Sequence, residues 1–350
     1  MTSTQQAKFP PMQDLIPPVF GYALFQITGV FSRLGVPDAI GDGVRPAAEL
    51  AAEVGADPRF LLRILRAGVA VGLLTSDDAD TFGLTELGSA FRSDSQWLGA
   101  AHDAYHGHPK VWQAWGALTD AVRTGTPAFI HAHGRGLFDH LEEDPPLAKL
   151  FHTTMATGTA LQVQAIVDGY DFGRFRHVTD VGGGDGTNLA AILAANPGLR
   201  GTVVDLENAV RDVPAVLARA GLTDRCDAVV SNFLESVPSG ADLFLLKSVL
   251  HDWDDDNAVR LLSNIRAAMR PDSRLVMFTW LRPGPEVKLD PVDALSMAIQ
   301  DIELMVVTRG EIRDRASYDR LFAKAGLRIT GVTDIPCPFS LSAVEAEPVP

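Results

Sequence analysis

Cysteine is nearly absent, with only Cys226 and Cys337 in 350 residues. Two thiols cannot build a disulfide framework or a four-thiolate metal centre, and they fit a reducing, cytoplasmic setting. Positive charge is also scarce. Thirty Lys and Arg stand against 44 Asp and Glu, a net charge of −14, which disfavours polyanionic partners, both nucleic acid and anionic membrane surfaces. No uninterrupted apolar run of about 18 residues is present to span a bilayer. The first 18 residues hold one lysine and no apolar segment before Pro10 and Pro11, so no secretory leader is expected. Internal repeats and low-complexity tracts are lacking. What is there is an ordinary globular composition, 46% hydrophobic, at a length that should fold as about two units.

Residues 19–34 are apolar on most sides, with Phe20, Tyr22, Phe25, Ile27 and Phe31 and only Arg33 charged. That is too much apolar surface for the outer helix of a monomer, which predicts a homodimer formed through N-terminal helices. A short helix stopped by Gly55 comes next. Asp57 and Pro58 then open a second helix reaching Leu74, and a polar hairpin over 75–85 completes a winged-helix pattern. A DNA reader would need cations here. Residues 1–100 carry seven Lys and Arg against eleven Asp and Glu, and the wing holds Asp77, Asp78 and Asp80, so nucleic acid binding by a winged-helix regulator is not expected. Residues 101–170 read as a helical linker and lid over the substrate. Seven of the nine histidines fall there, without metal-helix spacing, and are read as polar loop and helix-face residues.

From residue 177 onward short β-rich runs alternate with helical stretches, the pattern of a doubly wound α/β sheet over 171–350. The runs cover 177–181, 201–205, 227–230, 242–247, 274–279, 327–332 and 339–344. A proline-containing turn joins the last two, suggesting a hairpin and an antiparallel edge strand. Val178-Thr-Asp-Val-Gly-Gly-Gly-Asp-Gly-Thr187 is a strand entering a glycine turn, and Asp205 closes the next strand 25 residues after Asp180, where an acid accepts ribose hydroxyls. Carboxylates flanking the turn would repel a pyrophosphate. They suit the ammonium and sulfonium of S-adenosylmethionine, which is phosphate-free, and that cofactor is expected rather than NAD.

Four motifs together resemble the small-molecule O-methyltransferases of the plant caffeate type and their bacterial natural-product tailoring relatives. They are Asp180-Val-Gly-Gly-Gly-Asp-Gly186, Val203-Val-Asp-Leu206, Ser231-Asn-Phe-Leu234 and Leu246-Lys-Ser-Val-Leu-His-Asp-Trp-Asp-Asp255. The fold implied is α/β, a doubly wound Rossmann-like class I methyltransferase sheet behind an N-terminal α-helical winged-helix dimerisation domain over 1–100. The resemblance places Asp180, Gly182, Gly184, Asp205, Leu206, Asn232, Phe233 and Lys247 at the cofactor. It makes His251 the general base or positioner, and puts Met155, Asp252 and Trp253 near the substrate, with Trp112, Trp115, Phe138 and Phe151 as apolar walls. The implied reaction moves a methyl group to a hydroxyl of a small aromatic or polyketide-like molecule. No third ligand accompanies His251 and Asp252 at a recognisable spacing, so no metal is expected.

The sequence departs from the family pattern at three positions. Thr279 stands where an acid commonly ends the fifth strand, Ile312 where a glutamate follows two glycines, and Asn232 at the adenine-contacting acid. His251 thereby lacks both flanking carboxylates, which should lower its basicity. Glu311, Asp301 or Glu303 are candidate substitutes. The alternative is a methyltransferase-like scaffold that binds the same cofactor but performs C- or N-methylation, hydroxylation or a pericyclic rearrangement.

Overall fold

A computed structural model describes residues 11–77, 80–95, 97 and 99–350, so Lys8 and the wing's Asp78 lie outside the described residues. The chain divides into two compact units, one up to His108 and one from Pro109 onward.

In the first unit the long helix is Met12–Arg33. Asp57 accepts the amides of Arg59 and Phe60 at 3.0 and 3.1 Å and so caps the helix Pro58–Ala70. That helix ends at Ala70 rather than reaching Leu74, because Gly72 turns the chain at φ +81 and frees Leu74 to enter a strand. Strands β1 (Val44–Pro46), β2 (Leu74–Thr75) and β3 (Thr81–Leu84) form an antiparallel wing in the order β1-β3-β2. Phe31, Ile40, Leu50, Leu61, Leu65 and Phe82 fill the core beneath it.

The stretch Asp14–Arg33 is long and apolar enough, by length and composition, to cross a membrane. It is not an uninterrupted apolar run, because Gly21, Gln26 and Thr28 break a segment that is apolar on average. Phe20 and Tyr22 stand 47% and 62% exposed on this helix, leaving an apolar surface that a soluble monomer rarely carries.

The second unit is built on a seven-stranded sheet, with β4 (His177–Val181), β5 (Arg200–Asp205), β6 (Cys226–Val230), β7 (Leu243–Lys247), β8 (Arg274–Thr279), β9 (Leu327–Ile335) and β10 (Leu341–Pro348). Their order is β6-β5-β4-β7-β8-β10-β9, and β4 to β8 run parallel. Strands such as Leu-Phe-Leu-Leu-Lys247 are apolar on both faces because helices cover both sides. The terminal hairpin forms, but its antiparallel strand is not the edge. β10 inserts between β8 and β9, pairing antiparallel with each, so β9 takes the rim. β10 reads Leu341-Ser-Ala-Val344 and is buried throughout that stretch, whereas β9 alternates buried and exposed positions. The sheet's direction of progress reverses between β4 and β7. Ligands of such sheets lie at that switch point, beyond the strands' carboxyl ends.

Candidate active site

A cavity of about 450 Å³ opens at the switch point, a size typical of small-molecule sites. The glycine turn after β4 forms its floor. Gly182 and Gly184 adopt φ +74 and +57, and a Cβ on Gly182 would meet Val249 Cγ2 at 2.7 Å, so larger residues there would strain the backbone and displace its neighbour. Ser248, just past β7, holds φ +55 without being glycine. Strain of this kind, on the order of 1–3 kcal/mol, concentrates at functional sites.

Carboxylates dominate the charged groups of the lining. Asp139, Glu142, Asp180, Asp185, Asp205 and Asp252 face the cavity with Lys247 as its ammonium. Asp205 accepts the amides of Leu206 at 2.7 Å and Gly184 at 2.9 Å, and burial still pushes its carboxyl upward. Asp180 is 1% exposed and neither of its oxygens has a hydrogen-bond partner. Burial and the nearby Asp205 charge push it to about 7. Lys247 ends the apolar β7 and donates to Thr159 Oγ1 at 3.0 Å, and burial lowers it to about 8. Buried acids without partners destabilise an empty site and are stabilised by a cation. A ligand carrying ammonium and sulfonium charge fits this cavity, and a pyrophosphate does not.

Aromatic rings form the opposite wall. Phe138 stacks on Trp253 at 5.6 Å and 16°, with Phe151 edge-on to Phe138 and Phe233 edge-on to Trp253. Met155 and Leu206 are also part of the apolar lining. Asn232 also lines the cavity, with its side chain tied to its own loop by the Leu234 amide at 3.0 Å and by Glu235 at 3.2 Å.

Three candidate residues lie elsewhere. Trp112 does not line the cavity. It sits on the helix Pro109–Gly116, 37% exposed, where packing is against the helix Ala128–His133. Trp115 is likewise absent from the lining. His251 lies behind the wall, with its ring stacked on Trp280 at 4.8 Å and 9° and its Nδ1 3.4 Å from Thr279 Oγ1. Burial, with the charges of Lys247 and Arg313, lowers it to about 3. Asp252 lines the cavity where His251 does not, 3.8 Å from Nε2, with 21% of its side chain accessible against 4% for His251. Burial, and secondarily the charge of Glu303, raises Asp252 to about 8.

The candidate substitute acids divide. Ile312 is wholly buried, and Asp301 is occupied holding the Ile312 amide at 2.7 Å and Arg282 at 2.8 Å. Glu311 is half-exposed beside Arg313. Only Glu303, raised to about 7 by burial, acts on the wall through Asp252. The loop at 309–313 buttresses His251 from behind, with the Glu311 amide donating to the His251 carbonyl at 3.0 Å. A Cβ on Gly310 would stand 1.7 Å from that same oxygen. Gly310→Ala is therefore expected to cost about 2 kcal/mol or more of stability in chemical denaturation, since the obstruction is backbone on both sides.

Several lining residues were not among the candidates: His152, Thr159, Asn188 and Ser248. The signal for two of them was the helical stripe 151, 152, 155, 156 and 159 around the singled-out Phe151 and Met155.

Comparison with known proteins agrees with this chemistry. A family model described as the O-methyltransferase domain matches residues 115–328, and one described as the O-methyltransferase dimerisation domain matches residues 19–94. The chain is 36% identical to an O-demethylpuromycin-O-methyltransferase of Streptomyces alboniger, over 98% of this chain and 91% of the relative. It is also 36% identical to a mitomycin biosynthesis 6-O-methyltransferase of Streptomyces lavendulae, over 87% and 85% of the two chains. Among solved structures, an O-methyltransferase from neocarzinostatin biosynthesis in complex with S-adenosylmethionine and 2-hydroxy-5-methyl naphthoic acid superposes with a TM-score of 0.79. Its identity is 32%, over 93% of this chain and 96% of that one. The acidic, phosphate-excluding cavity at the switch point thus belongs to a member of the O-methyltransferase family of natural-product type, with S-adenosylmethionine as its cofactor.

Proposed function

We propose that the enzyme methylates a hydroxyl on a small, planar aromatic natural product, and that Asp252 takes the hydroxyl's proton. The observation that carries this is the wall itself: stacked Phe138 and Trp253, edge-on Phe151 and Phe233, with the Asp252 carboxylate next to Trp253 in the same lining. Flat apolar surfaces hold a flat acceptor, and fixing its hydroxyl in line with the methyl donor supplies much of the acceleration. Bound S-adenosylmethionine supplies an electrophilic methyl on a positively charged sulfur. Asp180 and Asp205 hold its cationic and ribose ends, Phe233 packs near the adenine, and Lys247 with Thr159 keeps the turn after β7 in place.

His251 serves this reading as the positioner. Its ring is clamped by Trp280 and Thr279, and it supports Asp252 from the side away from the cavity. With the methyl donor bound, the acceptor's O–H would give its proton to the Asp252 carboxylate while its oxygen bonds the methyl carbon and the methyl–sulfur bond breaks, the electron pair staying on the now neutral sulfur, and the proton would then leave Asp252 to solvent. The test is incubation with S-adenosylmethionine and a panel of catechols, naphthols and hydroxynaphthoates. S-adenosylhomocysteine should appear one-for-one with an O-methylated product. An acceptor altered while the cofactor stays intact, or methylated on carbon or nitrogen, refutes the reading.

The first unit supports a homodimer. Val19, Phe20 and Tyr22 on the helix Met12–Arg33 stand exposed inside the matched dimerisation region. Sedimentation is expected to give a dimer for the parent and a monomer for the pair Phe20→Glu, Tyr22→Glu, because two buried carboxylates would face an apolar partner surface.

A further inference from the structure

One polar atom in the cavity wall has no use in the mechanism above. His152 lines the cavity from the helix Pro145–Gly169, on the face shared with Phe151, Met155, Ala156 and Thr159. Positions 151, 152, 155, 156 and 159 fall on one side of a helix at 3.6 residues per turn, so the fold aims this stripe at the sheet's carboxyl end. The Nε2 atom of His152 is buried and has no hydrogen-bond partner. Leaving a buried ring nitrogen unsatisfied is costly, and a ligand group at the site would recover that cost.

The surrounding charges indicate which part of a ligand that is. His152 feels the carboxylates of Asp205, Asp185 and Asp212, Asp205 most strongly, with Arg211 opposing them. Asp205 is the acid that closes β5, and its two oxygens each accept one backbone amide, leaving lone pairs for two further donors. A ribose presents two adjacent hydroxyls, each with one proton to give and lone pairs to receive. When both protons turn to Asp205, the hydroxyl oxygens still need a donor. Burial holds the His152 imidazole below its ordinary pKa, so it is neutral at pH 7 and in one tautomer carries its single proton on Nε2.

We infer that His152 is a second ribose ligand of the cofactor site, donating from Nε2 to a hydroxyl oxygen whose proton goes to Asp205. This rests on the reading of Asp205 as the ribose acceptor. The contact ties cofactor binding to the helix that carries Phe151 and Met155, so the cofactor fixes the wall against which the acceptor then lies.

Calorimetry with S-adenosylhomocysteine and its 2′-deoxy and 3′-deoxy analogues tests this without a known acceptor. The parent enzyme should bind at least one deoxy analogue about tenfold more weakly than S-adenosylhomocysteine. In His152→Ala that discrimination should fall several-fold, whereas His152→Gln, whose amide nitrogen reaches the place of Nε2, should keep it. A merely structural histidine would weaken all three ligands equally, and an unchanged ratio in the alanine variant overturns the inference. If that variant does not fold, a parent enzyme that binds all three alike overturns it instead. A parent that binds none of them rejects the cofactor site itself, which is a different failure.

Discussion

Asp252→Asn is expected to slow methyl transfer by about 10²- to 10⁴-fold while leaving S-adenosylmethionine affinity within a few-fold, as loss of a general base does. Asparagine keeps the shape but cannot hold the acceptor's proton. The pH profile identifies the residue. Asp252 must be ionised to act, and its carboxyl lies near 8, so the parent's rate should climb with pH toward a plateau near 8, displaced downward by the bound sulfonium. Were His251 the base, the ascending limb would follow its value near 3 and the profile would be flat across neutrality. His251→Gln should cost far less than Asp252→Asn and leave the limb in place. Lys247 also titrates near 8. Disappearance of the limb in Asp252→Asn therefore makes the assignment, and its persistence there withdraws it.

Asp180→Asn is expected to weaken S-adenosylmethionine binding by about 10- to 100-fold, the cost of losing a buried charge-assisted contact. Its sign with pH follows from linkage. In the free enzyme Asp180 is protonated below about 7, and a bound cation holds it ionised, so below that value binding must expel a proton. The parent's affinity should fall by up to about tenfold per pH unit below 7 and level off above it. Equilibrium dialysis at pH 6 and pH 8 should show this difference in the parent and lose most of it in Asp180→Asn. Equal affinities at the two pH values in the parent would mean that Asp180 does not face the cation.

The sheet was legible in the sequence because its strands are short apolar runs separated by turn residues, and all seven runs carry strands within a few residues of the expected bounds. The glycine turn was legible for a chemical reason: carboxylates on both sides of it select against phosphate. Direction was harder to read. Trp112 and Phe151 are both aromatic residues in helices, and only packing decides that one faces the cavity and the other does not. His251 and Asp252 are adjacent in a turn of 3₁₀ helix, where one residue's difference in phase exchanges the group that faces the wall with the one behind it. His152 was hidden among histidines read as polar helix faces, although its spacing from Met155 already placed it on the same stripe. The antiparallel strand was expected at the rim because hairpins commonly add at an edge. The burial of residues 341–344, against the half-exposed β9, put it one place inward.

The most direct test of the whole account is titration of the purified enzyme with S-adenosylmethionine, S-adenosylhomocysteine and NADH in one buffer at pH 8. The six-carboxylate lining predicts saturable binding of the first two and none of the pyrophosphate-bearing third. Tighter binding of NADH than of either sulfur ligand would contradict it.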